Sequence, residues 1–129
     1  MGEVIRVAIV GGGRAATPLI KELMGRPFIK IVGIADVDPN SSGAELARAN
    51  GVFYCEHASV LAAKASEIDV ILELSGDPTV KPALKDAFQA QGNRSTIIVQ
   101  DLVARMIMSL VSGADELIES VHPEDRGIG

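Results

Sequence analysis

The run Val7-Ala8-Ile9-Val10-Gly11-Gly12-Gly13-Arg14-Ala15-Ala16 decides the reading of this chain. Four apolar residues of strand character lead straight into a glycine turn, and a helix-forming stretch follows. Gly11, Gly13 and Ala16 fit the pattern G-x-G-x-x-G/A. The first glycine permits the tight turn out of the strand. The second lets the backbone approach a pyrophosphate, and the small third residue lets the helix pack closely on the sheet. A helix that starts here presents free N–H groups and a partial positive charge to an anion. Gly11, Gly12, Gly13, Arg14, Ala15 and Ala16 are therefore the candidate phosphate cradle.

Outward from this run, strand and helix patterns alternate to the end of the chain. Val4 to Val10 predicts the first strand, and a helix from Arg14 to Met24 follows, with Pro18 tolerated in its first turn. Ile29 to Ala35 predicts the second strand. Asn40, Ser41 or Ser42 caps a helix over Gly43 to Asn50. Val52 to Cys55 predicts a short third strand, and His57 to Ser66 reads as helical. Asp69 to Leu74 predicts the fourth strand. Asp77 or Thr79 caps a helix from Pro78 to Gln91, Thr96 to Val99 predicts the fifth strand, and a long helix spans Asp101 to Val121. Such alternation implies right-handed βαβ units in a doubly wound α/β fold, with a parallel five-stranded sheet of order 3-2-1-4-5. The expected organisation is one domain over residues 1–121 and a polar tail over 122–129.

In such a sheet ligands bind at the carboxyl ends of the strands, where the strand order reverses. Asp36 ends the second strand twenty residues after Ala16, the spacing expected of an acid that hydrogen-bonds an adenosine ribose. A carboxylate there repels a 2′-phosphate, which favours NAD over NADP. If Asp36 only opens the D-V-D-P-N loop, Asp38 is the next candidate. Val37 is placed to wall the adenine. Arg14 offers a charge-assisted contact to a phosphate; the alternative is a solvated helix-start arginine. Ser75 and Gly76 end the fourth strand across the crevice, where Gly76 permits close backbone approach; the alternative is an ordinary strand-to-helix turn. Thr17 offers a hydroxyl to a ligand or to a cap. Glu73 lies inside an apolar strand and needs a partner, and is not assigned a catalytic role. Cys55 and His57 form a candidate thiol–imidazole pair, although a small buried thiol is the commoner case. Gln100 and Asp101 read as a helix start, and His122 as a solvated tail residue.

Composition narrows the partners. The 129 residues are 47% hydrophobic, with three Phe, one Tyr and no Trp, so the core is built of Val, Ile, Leu and Ala. The formal charge of −5 gives no basic footprint for nucleic acid. One cysteine leaves no internal disulfide, and two distant histidines make a poor metal site. No apolar run reaches the roughly 18 residues of a membrane span, and no secretory signal is recognised, so a cytoplasmic location is expected. In the last helix, Val103, Ile107, Leu110, Ala114, Leu117 and Val121 are spaced 4, 3, 4, 3 and 4. This short coiled-coil-like seam points to a homodimer or to a downstream domain docked along residues 101–121.

The segments V-A-I-V-G-G-G-R-A-A, I-V-G-I-A-D and L-S-G-D-P together resemble the N-terminal NAD-binding domain of Gfo/Idh/MocA-type and homoserine dehydrogenase-like enzymes, over Val4 to Val99. The resemblance implies a Rossmann fold with pyrophosphate on Gly11 to Ala16, ribose on Asp36, and the Ser75 to Pro78 turn near the nicotinamide. Two departures stand out. Those enzymes carry a second, substrate-binding domain, for which this chain has no room. They also carry a Glu-Lys-Pro-type motif after strand five, where this chain has Val99-Gln100-Asp101 and no lysine. The chain also resembles Rossmann modules attached to bacterial sensor kinases. The leading expectation is an NAD(H)-binding module without catalysis of its own, sensing or regulatory. The alternatives are the cofactor domain of a dehydrogenase completed elsewhere and a non-binding oligomerisation domain. CoA is a lesser ligand candidate.

Overall fold

A computed structural model of the protein describes residues 2–119. The elements are β1 (Ile5–Val10), α1 (Thr17–Met24), β2 (Ile29–Ala35), α2 (Ser42–Ala49), β3 (Tyr54–Cys55), α3 (Ala58–Ala62), β4 (Val70–Glu73), α4 (Val80–Ala90), β5 (Ile97–Gln100) and α5 (Asp101–Ser112). All strand pairs are parallel, and the order is β3-β2-β1-β4-β5 as the alternation implied. Successive residues of a strand point to opposite faces, so strands apolar throughout bury both. Ala8, Val10, Ala35 and Ile71 pack with Leu61, Leu84 and Phe88 of α3 and α4. Val7, Ile9, Ile34 and Leu72 pack with Leu19 and Ile20 of α1, Ala47 of α2 and Met108 of α5. Full burial of each Val, Leu, Ile, Phe or Met side chain among them contributes about 1.5–3 kcal/mol.

Local chemistry fixes the connections. Of the three candidate caps for α2, Ser41 is the one used, its Oγ accepting the Ala44 N–H at 3.1 Å. The α4 cap differs from expectation. Thr79 occupies the cap position without a side-chain bond, and Asp77 Oδ1 accepts the N–H and hydroxyl of Thr79 in the turn before it. The stretch read as one helix over 57–66 is α3 followed by a 3-10 turn at Ala65–Glu67.

The long last helix is corrected by the structure. α5 ends at Ser112, and Gly113 takes φ 69°. The Gly113 N–H bonds Leu110 O at 3.2 Å and the Ala114 N–H bonds Ser109 O at 3.0 Å, the paired bonds of a Schellman stop. The chain then folds back over the helix. The Ile118 N–H donates to Ser109 Oγ at 2.9 Å, and Arg105 donates to Ile118 O at 3.0 Å. Leu117 is thus off the helix, and the seam read through residue 121 is broken. Val121 and the tail 122–129, with His122, lie outside the described residues.

Arg6 and Asp69 tie the start of β1 to the entry of β4. The guanidinium reaches Asp69 Oδ1 at 2.9 Å and Oδ2 at 3.2 Å, and the Arg6 N–H reaches Oδ2 at 2.8 Å. The Arg6 side-chain bonds, then its backbone N–H, hold the Asp69 carboxyl below its usual range. A depressed folded-state pKa contributes stability that is present above the unfolded value of about 3.9 and lost as pH falls through the folded one. The pair is half-exposed, so the effect is small. Asp69→Asn is expected to lower urea-unfolding stability at neutral pH. Its deficit should shrink once the pH drops below about 5, and a deficit that stays constant would contradict the assignment.

Candidate functional site

The carboxyl ends of β1 and β4 diverge where their connections leave to opposite faces of the sheet. A cleft of about 570 Å³ opens there. The loop Gly11–Ala16 forms one wall, Ala35, Asp36 and Val37 a second, and Leu74, Ser75, Asp77 and Val80 a third. Glu56, His57 and Ala58, after β3, close the side beyond Asp36. Of the sequence candidates, Gly11, Gly12, Gly13, Arg14, Ala15, Ala16, Asp36, Val37 and Ser75 line this one cleft. Gly76, at φ 72°, belongs to the turn beside it and is not among the lining residues.

The three glycines are glycines for different reasons. Gly11 has φ 90°, and a Cβ there would lie 2.6 Å from Ser75 N. The crossing of the two strand ends therefore requires it. Gly12 is buried, and a Cβ on it would lie 2.7 Å from the Cα of Gly43 in α2. Gly13 has ordinary φ, and a Cβ there would meet nothing within 4 Å. Beyond it, Gly13 O accepts the N–H groups of Ala16 and Thr17 at 3.1 and 3.2 Å and the Thr17 hydroxyl at 3.0 Å. The Thr17 hydroxyl thus closes the turn. The N–H groups of Gly13, Arg14 and Ala15 have no protein acceptor among the described residues. The helix starts only at Thr17, with Ala16 as its cap, and not at Arg14 as the sequence suggested, so these groups belong to the turn before α1. Successive free N–H groups in such a turn make an anion-binding concavity. Arg14 is exposed at the same wall.

Asp36 is held on every side. Its N–H donates to Cys55 O at 3.0 Å, and its carbonyl accepts the Tyr54 hydroxyl at 2.6 Å. Its Oδ2 accepts the Gly12 N–H at 2.7 Å and its Oδ1 the Asp38 N–H at 2.9 Å. Each carboxylate oxygen retains a lone pair for a further donor. Val37 beside it is 77% exposed.

Of the other candidates, His57 lines the far side of the cleft, whereas Cys55 and Glu73 are not among its lining residues. Cys55 is buried, its thiol facing the carbonyl oxygens of Ile34 at 4.0 Å and His57 at 3.5 Å, and burial pushes its pKa up. A thiol so placed is not an activated nucleophile. Glu73 is buried, and its Oε1 accepts both the N–H and the hydroxyl of Ser75. Ser75 Oγ in turn accepts the Asp77 N–H at 3.1 Å, so the pair shapes the third wall. Asp101 does open α5; the side chains of Gln100 and Asp101 lie outside the described set. Among the described residues no group of three His, Cys, Asp or Glu is placed to hold a metal ion. No helix among them is long and apolar enough to cross a membrane.

A parallel sheet of this order with a glycine loop at its switch point defines a Rossmann-type dinucleotide-binding domain. Comparison with known proteins agrees. The oxidoreductase family with the NAD-binding Rossmann fold, of the Gfo/Idh/MocA type, matches residues 5–97, and the chain belongs to it. It is 42% identical over 72 residues to an acetaldehyde dehydrogenase of Roseiflexus castenholzii, covering 55% of this chain and 21% of that protein. It is 35% identical over 82 residues to an acetaldehyde dehydrogenase of Geobacillus genomosp. 3, covering 63% and 23%. The chain thus spans less than a quarter of the length of these relatives. Among solved structures, GenD2 from gentamicin A biosynthesis, in complex with NAD, superposes with TM-score 0.58 at 19% identity over 88% of this chain and 32% of GenD2. The myo-inositol 2-dehydrogenase of Lactobacillus plantarum gives 0.56 at 19% identity, over 86% and 33%. At that identity the likeness concerns the fold.

Proposed function

We propose that the cleft binds NAD(H), with the pyrophosphate on Gly11 to Ala16, the adenosine ribose on Asp36, and Val37 against the adenine. Arg14 neutralises phosphate charge, and the turn at Ser75 and Gly76 flanks the nicotinamide. The observation that carries this reading is Gly13. Neither its φ nor its surroundings require glycine, whereas a diphosphate lying over three free N–H groups would. Asp36, with Asp38 and Glu56 near it, disfavours a 2′-phosphate, so NAD is preferred over NADP, and CoA is a weaker candidate. Residues 1–121 act as one cofactor-binding unit of an NAD-dependent oxidoreductase whose reacting groups toward substrate lie outside them. Amide chemical-shift mapping with NAD tests the placement. Shifts centred on Gly11 to Ala16 and Asp36 to Asp38 are expected, and shifts confined to other surfaces would refute it.

A second reading, a sensing or regulatory module that binds NAD(H) without turnover, is favoured by one feature. β5 runs into α5 through Gln100-Asp101, with no lysine at that turn. Hydride transfer by the full natural polypeptide would exclude it.

The reading also includes a partner on α5. Leu102, Val103, Met106 and Leu110 are exposed on it, and of its charged residues Arg105 is buried. A helix apolar on its solvent face is normally covered. We assign this face to protein contact, with the remainder of an oxidoreductase or with a second copy. Met106→Glu with Leu110→Glu is expected to abolish concentration-dependent self-association in sedimentation, with NAD affinity unchanged. A parent chain that stays monomeric at all concentrations would remove the second copy as the occupant.

A further inference from the structure

We propose that Gly43, in the first turn of α2, positions the phosphate loop although it does not line the cleft; the inference rests on the pyrophosphate placement above. The peptide groups of Gly12 are fully committed within the protein. Its N–H donates to Asp36 Oδ2 at 2.7 Å, and its carbonyl accepts the Gly43 N–H at 2.7 Å. The loop is thereby clamped between the end of β2 and the start of α2.

The clamp depends on two bare α-carbons. A Cβ on Gly43 would lie 2.7 Å from Gly12 Cα and 3.1 Å from Gly12 O, with Ile20 Cδ1 of α1 at 3.3 Å behind it. A Cβ on Gly12 would meet Gly43 Cα at the same 2.7 Å. Gly43 does not have a positive φ, so its role is space alone. The helix cannot yield freely, because Ser41 caps the Ala44 N–H and Ala44 and Ala47 are fully buried. A methyl group at residue 43 therefore displaces the loop that carries the free N–H groups of Gly13, Arg14 and Ala15. Pre-organised donors bind more tightly because they are not ordered at the moment of binding. Gly43 is a positioning residue acting through Gly12, and its effect falls on the phosphates rather than on the base or ribose.

The test compares the parent with Gly43→Ala and with Gly25→Ala, a control at the α1 terminus where the nearest atom to an added Cβ is 3.6 Å away. NAD and adenosine are titrated into each, and the Gly12 and Gly13 amide shifts are recorded without ligand. Gly43→Ala is expected to weaken NAD at least about tenfold (about 1.4 kcal/mol) and adenosine less than twofold, and to move the Gly12 amide, whose α-carbon and carbonyl the methyl group displaces. Gly25→Ala should change none of these. Unmoved loop amides, or equal losses for NAD and adenosine, would overturn the proposal. If the parent itself fails to bind NAD, the pyrophosphate reading fails, and the loop amides still decide the clamp. If Gly43→Ala does not fold, Ser41→Ala replaces it, since it loosens the first turn of α2 without adding an atom. A small loss of NAD affinity with a shifted Gly12 amide is then expected, and no change in either would overturn the proposal.

Discussion

Gly13→Val is expected to fold like the parent and to lose NAD. The position needs no positive φ, and a Cβ there would enter open space. Replacing a glycine where the native backbone suits other residues even restricts the unfolded chain, worth up to about 1 kcal/mol. Stability in urea should therefore stay within about 1 kcal/mol of the parent. The side chain stands where the diphosphate must approach the N–H groups of Gly13, Arg14 and Ala15. Affinity for NAD should fall at least about a hundredfold, equivalent to roughly 2.7 kcal/mol. Gly11→Val gives the contrast. With φ 90° and Ser75 N at 2.6 Å from any Cβ, that change strains the crossing of β1 and β4 and is a folding defect. A Gly13→Val protein that binds NAD normally would remove the phosphate assignment.

Asp36→Asn is the second large effect, and it has two parts. The carboxylate accepts N–H groups at both oxygens, from Gly12 at 2.7 Å and Asp38 at 2.9 Å. An asparagine serves one of them and turns an NH₂ donor toward the other. Gly12 is buried, so an abandoned N–H there costs about 1–3 kcal/mol. The ribose hydroxyls also lose a charged acceptor, worth about 1.5–3 kcal/mol, so NAD should weaken by roughly tenfold to a hundredfold. NADP should weaken less, because the repulsion of its 2′-phosphate is relieved, and the preference for NAD should narrow. Urea unfolding and paired NAD and NADP titrations separate the two parts. Unchanged stability would deny the loop bond, and an unchanged cofactor ratio would deny the ribose contact.

The double role of Asp36 marks the boundary of what the sequence makes legible. Its spacing from Ala16 points to the cleft, because the interval reflects one helix and one strand of fixed rise. That the same carboxylate braces Gly12 depends on a loop conformation with no sequence signature of its own. Gly43 was equally hidden. In the chain it is only the first residue of a helix pattern, and its importance comes from the approach of α2 to α1 and to the loop. Strand order and the two-faced core follow from apolar runs and short connections, which leave few topologies open. The end of α5 was signalled by Gly113, but the apolar spacing from Val103 to Val121 ran across it. Local turn chemistry prevailed over periodicity, and the Arg105 and Ser109 bonds to Ile118 are the long-range contacts that hold the reversal. Glu56 and His57 entered the cleft through the 3-2-1 order, which brings the end of β3 beside Asp36.

Calorimetric titration of NAD into the purified chain decides whether the cleft is a dinucleotide site. One saturable site per chain is expected, with NADP weaker, and a thermal stabilisation of about 2.7 kcal/mol when NAD stands at a hundred times its dissociation constant. No saturable heat with NAD, and no change in thermal stability at millimolar ligand, would contradict the assignment of this cleft to a dinucleotide.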